Sequence, residues 1–264
     1  MPSKRESTRF RRFFDGISRR EILVPHLERE MLMRGREAWP DEYPIKVDNK
    51  EKRFDGYFHP SSDAAAPPLF LYYKFHDAMA LEAEVLSTDL LLTFQFGSAL
   101  HAILQSLLVE CGFTTVEECE VSFKDEKRWC SGHVDVRRLT MPNIEPMPVE
   151  IKSWGFLPKQ VVPYHEAQMQ VYMDLADDEP YQRGLVLYAQ KQSPHRLREF
   201  VVERNEDMLT EIYRKWRDVL EAVALNDPSR FETCTGCVPN NKVHFECPAR
   251  NICRIGPPGY RKAG

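Results

Sequence analysis

Two short runs of alternating residues carry side chains that could act together on one substrate. Asp135 lies in the first run, Trp129–Val136, and Glu150 and Lys152 lie in the second run, Met147–Trp154. Successive side chains of a strand point to opposite faces of a sheet. If the two runs pair as a hairpin, the two carboxyl groups and the amine meet on one face, and the apolar residues meet on the other.

The chemistry of these three side chains favours a bound cation. Two neighbouring carboxylates repel each other unless a cation lies between them. A hard divalent ion such as Mg²⁺ prefers oxygen ligands from carboxylates, waters and substrate phosphates. A lysine on the same face can orient or help to deprotonate an attacking water, or stabilise charge on a phosphate. Asp135, Glu150 and Lys152 therefore suggest metal-assisted hydrolysis of a phosphodiester, with two charged surface strands as the alternative.

The hairpin sets the expected core. Val134 and Val136 are predicted to share one buried face with Val149 and Ile151. The stretch between the two runs, Arg137–Pro146, contains turn-forming proline and asparagine residues and is predicted to be the connecting turn.

Hydrophobic periodicity predicts the elements that must position these residues. Residues 94–108 have apolar side chains at helical spacing, with Gly97 and His101 stacked on one face and the glycine allowing close approach of another group. The remaining predicted elements are one or two helices over Leu69–Leu92, a strand over Glu120–Phe123, a helix over Leu157–Asp174, strands over Gly184–Gln190 and Leu197–Val202, and a helix over Asn205–Leu225 that Asn205 caps.

Composition limits the class of protein. The 264 residues are 42% hydrophobic and 29% charged, which is typical of one large soluble domain or of one domain with appendages. The net charge of −4 means that any surface for nucleic acid is local. No signal peptide or run of about 18 apolar residues is recognised, so a cytoplasmic protein with no membrane segment is expected.

The first 36 or so residues are rich in lysine and arginine, with phenylalanine and isoleucine interleaved. Such a segment could lie on a nucleic-acid backbone, or it could be a helix packed on the body with a solvated charged face.

Four weak motifs follow one another along the chain: Gly97-x3-His101, Gly132-x2-Asp135, Glu150-x-Lys152 and Gln168-x3-Tyr172. In order and spacing they resemble the PD-(D/E)XK nuclease superfamily, and within it the RecB-like exonuclease branch, which includes the CRISPR-associated RecB-like exonucleases and the AddB nuclease domain. The resemblance covers about residues 94 to 205. It implies an α/β fold with a restriction-endonuclease-like core, in which a central mixed sheet is flanked by helices.

The resemblance also implies a role for each matching residue. His101, Asp135, Glu150 and the carbonyl of Ile151 would hold Mg²⁺ or Mn²⁺, and Lys152 would position or activate the attacking water. Gln168 and Tyr172 would contact the DNA and support the site. Tyr164 and His165, near the start of the same helix, would face the substrate.

Cysteines are concentrated in the C-terminal tail. Cys234-x2-Cys237-x9-Cys247-x5-Cys253 is typical of a metal-bound knot that orders a segment with no core of its own. The last pair resembles the iron–sulfur motif of the family, and Cys-x2-Cys is equally a zinc knuckle, so [4Fe–4S] and Zn²⁺ stay open. The relatives that have such a cluster often place one cysteine before the nuclease core, and the first 110 residues here contain none.

The expected organisation has three parts: a basic helical region over residues 1–93, a nuclease core over 94–226 and a cysteine-rich tail over 227–264. The expected activity is Mg²⁺- or Mn²⁺-dependent hydrolysis of DNA, by an exonuclease acting on single strands or ends in repair, recombination, or phage- or CRISPR-linked processing. The alternative is a catalytically inactive nucleic-acid-binding module with the same fold.

Overall fold

The computed structural model describes residues 21–34, 55–76, 88–193 and 195–231. The elements in chain order are α1 (Val24–Arg34), α2 (Pro60–Asp63), α3 (Pro68–His76), α4 (Thr88–Glu110), β1 (Cys119–Asp125), β2 (Cys130–Met141), β3 (Ile144–Trp154), α5 (Pro163–Leu175), β4 (Arg183–Gln190), β5 (Leu197–Glu203) and α6 (Glu206–Leu225). The first 20 residues and the four C-terminal cysteines, on which predictions were made, lie outside the described residues.

The five strands form one sheet in the order β1-β2-β3-β4-β5. β1, β2 and β3 pair antiparallel, β3 and β4 pair parallel, and β5 returns antiparallel to β4. The parallel pair requires a crossover connection, which α5 supplies. The predicted α/β class, with a central mixed sheet flanked by helices, is confirmed, as is the order of helix, three strands, helix, two strands and helix.

Helices cover both faces of the sheet, so its central strands are apolar on both sides. On one face Leu185 and Leu187 of β4 pack with Leu104 of α4. On the other face Val186 of β4 packs with Met169 of α5. The nearly continuous apolar run of β4 follows from this burial.

Helix α6 packs against the outside of this assembly. Asn205 is its N-cap, as predicted, because its side chain accepts a hydrogen bond from the N–H of Met208. Trp216, in the middle of the helix, is buried and stacks on Phe58 at a centroid distance of 4.8 Å. This contact ties the segment before α2 to α6.

The β2–β3 hairpin is longer than predicted. The connection was expected over Arg137–Pro146, but β2 runs to Met141 and β3 begins at Ile144. Asn143 makes the turn with a φ of 62°, a left-handed conformation that asparagine tolerates. Pro146 lies inside β3. The proline and asparagine residues favour a long turn, but the pairing between the two strands extends almost to its tip.

The hairpin opens at its other end. The β2–β3 pairing ends at Val136 and Val149, whereas β2 stays paired to β1 as far as Cys130 and β3 stays paired to β4 as far as Trp154. The sheet therefore divides into two arms, and we call this opening between β2 and β3 the fork. Farther along, the backbone of Phe58 bonds to the β2 edge that β3 has left.

The side-chain alternation of β2 is interrupted at the fork. Val136 packs in the same cluster as Leu104 of α4, but Val134 packs with Met169 of α5 on the opposite face. The prediction that both valines share a core face with the apolar residues of β3 is therefore wrong for Val134. The interruption lies where the β2–β3 ladder ends. It also lies opposite Glu120 of β1, whose backbone has a φ of 51°.

Helix α4 contains a segment, Leu92–Glu110, that is long and apolar enough in composition to cross a membrane. No such segment was expected from the sequence. In the structure this helix packs on the sheet through Leu104, Leu107 and Leu108, and the core helix of a globular domain has the same composition.

Gly97 places α4 close to the end of β3. A Cβ atom at position 97 would lie 2.9 Å from Ser153 Oγ and 3.9 Å from Ser153 Cβ. The predicted close approach at Gly97 is therefore confirmed, and the group that approaches is the Ser153 hydroxyl.

We expect the effect of Gly97→Ala to depend on residue 153. Alanine favours a helix over glycine by about 1 kcal/mol, but in the wild type the new methyl group meets Ser153 Oγ. In a Ser153→Ala background that oxygen is absent, so Gly97→Ala should raise the free energy of unfolding by about 1 kcal/mol, and by less in the wild type. Urea unfolding of the four proteins measures the difference, and equal effects in both backgrounds would contradict the contact.

Candidate active site

The fork places Asp135 against the backbone of β3. Asp135 Oδ2 accepts a hydrogen bond of 2.6 Å from the N–H of Ile151, a donor that would otherwise face the departed strand. The backbone carbonyl of Asp135 accepts from Gln105 Nε2 of α4 at 2.8 Å. These two bonds fix the carboxyl group in the opening, where Asp135 is 9% exposed.

His101 reaches the same carboxyl group from α4. Its Nδ1 lies 3.4 Å from Asp135 Oδ1. Burial lowers the pKa of His101, but the charge and hydrogen bond of Asp135 outweigh burial, so the pKa lies above its usual value. Burial likewise opposes ionisation of Asp135, but His101, Lys152 and the N–H of Ile151 hold its pKa below the usual range.

Glu150 and Lys152 lie on the β3 arm of the fork. Lys152 Nζ donates to Glu150 Oε1 at 2.6 Å, and Gln168 Nε2 of α5 donates to the same oxygen at 2.8 Å. Within the described part of the chain, the buried Glu150 Oε2 has no hydrogen-bond donor in reach. A buried carboxylate oxygen without a partner is costly unless a further positive group binds it.

Burial raises the pKa of Glu150 to about 7, and the neighbouring Asp135 adds to the rise. Burial also lowers the pKa of Lys152, but Glu150 and Asp135 outweigh this, so the pKa of Lys152 lies above its usual value. The lysine is therefore charged at neutral pH. Two buried carboxyl groups share that one ammonium group and His101, and this leaves the Glu150 carboxyl short of positive charge.

The donor set fits a hard divalent cation. Across residues 21–34, 55–76, 88–193 and 195–231, no three His, Cys, Asp or Glu side chains are already arranged as a formed metal site. Even so, Glu150 Oε2 is buried without a donor and Asp135 lies across the fork from it. Oxygen ligands of this kind are those that Mg²⁺ prefers. The role of the Ile151 carbonyl as a metal ligand stays a prediction. The N–H of Ile151 donates to Asp135.

Gln168 and Tyr172 lie behind Glu150. Both are buried, at 1% and 2% exposure. Gln168 Nε2 also donates to Tyr172 Oη at 2.8 Å. The same amide nitrogen therefore bonds both the tyrosine hydroxyl and the Glu150 carboxyl group. This placement favours the supporting role that the sequence predicted for the pair, and direct contact with DNA stays a prediction.

His165 and Tyr164 lie beside the site, near the end of β3. His165 is buried and its Nδ1 is 2.8 Å from Tyr188 Oη. Burial, with a contribution from Lys152, lowers the pKa of His165 to about 3, so the ring is neutral. Tyr164 is exposed. The predicted substrate-facing position therefore suits Tyr164, whereas His165 packs between neighbouring aromatic rings.

Sequence reasoning missed Gln105 and Tyr188. Gln105 bonds both the Asp135 carbonyl and Glu120 Oε1, the second at 2.7 Å. It follows His101 by four residues on α4, so the same one-face argument that selected His101 could have found it. Tyr188 carries no such signal, because it lies within the apolar run of β4 and only the packing of α5 on the sheet brings it to His165.

No protein-family model matches the chain, and no curated protein is significantly similar to it. Among solved structures, the chain is similar to SSO0001, with 16% identity, a TM-score of 0.46 and coverage of 90% of this chain and 98% of that one. It is also similar to LHK-Exo in complex with dAMP, with 14% identity, a TM-score of 0.47 and coverage of 65% and 89%.

A second structure of LHK-Exo, an alkaline exonuclease from Laribacter hongkongensis, gives 15% identity, a TM-score of 0.45 and the same coverage of 65% and 89%. Likeness at this level concerns overall shape, and the roles of the residues rest on the geometry described above.

We expect the stability of the metal-free protein to depend on the ionisation of Glu150. Its folded-state pKa of about 7 lies above the ordinary value of 4.5. The stabilising contribution is therefore fully present below pH 4.5 and is lost as the pH rises through about 7. Mn²⁺, which binds the ionised carboxylate, should raise the melting temperature at about pH 8 and have little effect at about pH 5.

Thermal unfolding with EDTA or with Mn²⁺ measures both effects. Glu150→Gln should reduce the pH dependence and the response to Mn²⁺, whereas Glu211→Gln, on the exposed side of α6, should change neither. A response to Mn²⁺ that survives in Glu150→Gln would place the metal elsewhere.

We expect Gln168→Ala to act through Glu150 and not through DNA contact. Loss of the amide donor removes one of two hydrogen bonds to Glu150 Oε1, so the affinity for Mn²⁺ should fall by about 10- to 100-fold, as is typical for groups that support metal ligands. Calorimetric titration with Mn²⁺ measures this change, and DNA affinity without metal should stay the same. A fall in DNA affinity alone would show that Gln168 contacts the substrate.

Proposed function

We propose that the protein is a divalent-metal-dependent nuclease that hydrolyses phosphodiester bonds in DNA. The observation that carries the proposal is the meeting of Asp135, Glu150 and Lys152 in the fork, with an unpartnered carboxylate oxygen among the described residues. Phosphodiester hydrolysis requires a positioned water and neutralisation of the charge that builds on the phosphate.

Each residue has a task that its contacts support. Asp135 and Glu150 would hold Mg²⁺ or Mn²⁺, with His101 as a further ligand after its proton is displaced. The bound ion would lower the pKa of the attacking water and draw negative charge from the phosphate. Lys152 is charged and its ammonium group is directed at Glu150. A charged lysine can donate a hydrogen bond that orients the water and the phosphate, but it cannot act as a general base.

The proposal extends to the type of cleavage, the metal bound by the C-terminal cysteines and the biological process. Exonuclease action on single strands or free ends, and membership of the RecB-like branch, are what the resemblance carried by the four motifs implies. A cluster at Cys234, Cys237, Cys247 and Cys253 follows from the cysteine spacing, with [4Fe–4S] and Zn²⁺ as alternatives. A task in repair, recombination, or phage- or CRISPR-linked processing would agree with such an activity.

We expect Asp135→Asn and Lys152→Ala each to slow DNA cleavage strongly. Removal of one group that stabilises the developing charge costs about 10²- to 10³-fold in rate. Digestion of end-labelled single-stranded, blunt duplex and circular DNA with Mg²⁺ or Mn²⁺ measures the rate and separates exonuclease from endonuclease action. Asp207→Asn, in the exposed first turn of α6, is the matched control.

Equal cleavage by the wild type and both site variants would overturn the proposal. Salt-dependent DNA binding by the wild type, without turnover under either ion, would favour the inactive binding module instead.

A further inference from the structure

Exposed aromatic side chains lie near the end of the β3 arm of the fork. Phe94, Phe156 and Tyr164 are 50%, 71% and 40% exposed. Trp154, the last residue of β3, is partly buried beside them. Exposed aromatic rings grouped next to a site are typical of a binding surface.

Trp154 links the aromatic residues to the candidate active site. It lies two residues after Lys152 in the same strand, so both side chains point to the same face of the sheet. The Tyr164 ring lies 6.3 Å from the Trp154 ring. The buried ring of His165 contacts both, at 5.4 Å from Trp154 and 4.1 Å from Tyr164, and so holds their relative orientation.

Phe94 lies on α4, next to Thr93, which is tied to the end of β3. It precedes His101 by seven residues, or about two turns, so both project from the same side of the helix about 10 Å apart. The helix is attached to the end of β3 by Lys191, whose Nζ donates to Thr93 O at 3.4 Å and whose N–H donates to Trp154 O at 2.8 Å.

Basic side chains accompany these rings. Lys159 is exposed in the same connection between β3 and α5 that carries Phe156. Arg198 of β5 holds this connection through a hydrogen bond of 2.8 Å from Nη1 to Pro158 O. With Lys191, they place positive charge beside aromatic rings in a chain whose net charge is −4. Aromatic rings for bases with basic groups for phosphates are the features that bind single-stranded nucleic acid.

We propose that Phe94, Trp154, Phe156 and Tyr164, together called the aromatic platform, bind the unpaired bases of single-stranded DNA next to the candidate active site. The inference rests on the proposed function and specifies its substrate. Successive unpaired bases can each present a face for stacking, whereas a duplex exposes a face only at its terminal pairs. The platform therefore selects single strands and frayed ends over intact duplex, and Lys159 and Lys191 would lie along the sugar–phosphate chain.

The experiment uses the Asp135→Asn protein, so that DNA binding is measured without cleavage. Fluorescence anisotropy gives its affinity for a labelled oligothymidylate, for an abasic strand of the same length and for a blunt duplex. Phe94→Ala and Phe156→Ala should each weaken oligothymidylate binding by roughly tenfold, which corresponds to the loss of one stacked base. Their affinity for the abasic strand should not change, because phosphate contacts remain.

Phe96→Ala is the matched control. Phe96 is on the same helix and is 70% exposed, but it projects about 140° away from His101 around the helix axis. Its removal should leave every affinity unchanged. Equal oligothymidylate affinity in the Phe94, Phe96 and Phe156 variants would overturn the inference, as would equal weakening on the abasic strand.

Two further outcomes separate the inference from the proposed function. If the wild type cleaves no DNA but Phe156→Ala still loses oligothymidylate binding, the nuclease proposal fails and the aromatic platform stands. If Phe156→Ala changes only the molecular mass in sedimentation, with DNA binding intact, the surface binds a second copy of the chain and the inference fails.

Discussion

The hydrogen bond between the Ile151 N–H and the Asp135 carboxylate is the interaction on which the candidate site depends. At this position an ordinary antiparallel ladder would pair β2 with β3 through their backbones. The side chain of Asp135 takes that place instead, so the two strands separate without leaving the Ile151 donor unpaired. The opening that results gives room for Glu150 and Lys152 on one arm and for His101 from the helix above.

This arrangement keeps charge in a place where charge is costly. Buried carboxylates are tolerated when hydrogen bonds and opposite charges compensate for the lost water. Asp135 is well compensated by His101 and by the backbone of Ile151. Glu150 is less so, because one of its oxygens receives two donors while the other, among the described residues, receives none. The imbalance is the physical reason to expect a cation, since a divalent ion adds charge where the protein supplies too little.

The sheet connects this site to a surface on which a substrate could lie. β3 carries Glu150 and Lys152 inside the fork and ends at Trp154, beside exposed aromatic rings. α4 carries His101 inside and Phe94 two turns earlier. β3 therefore contributes two chemical groups to the fork and α4 one, and each element carries an aromatic ring near the end of β3. Gly97 allows the two elements to approach closely.

Much of this could be predicted from local pattern. Alternation in β3 correctly placed Glu150 and Lys152 on the same side of the strand. The helical spacing of α4 correctly placed Gly97 and His101 on the face of that helix that meets the sheet. The motif Gln168-x3-Tyr172 identified Gln168, which donates to Glu150, and Tyr172, which accepts from Gln168. These residues could be predicted because strand and helix periodicities can be read from the sequence itself.

Other features could not be predicted from the sequence, because they depend on contacts between separate elements. Alternation placed Val134 with Val136, yet the two valines pack on opposite faces at the point where the β2–β3 ladder ends and the fork begins. The turn was expected over ten residues, yet strand pairing extends to Met141 and Ile144 and leaves only Pro142 and Asn143 to make the turn. Residue types and spacing thus determined which side chains could do chemistry and in which order they occur. Only the tertiary structure decided that two paired strands part at Asp135, because the bond to Ile151 that stabilises the fork joins residues that no local pattern relates.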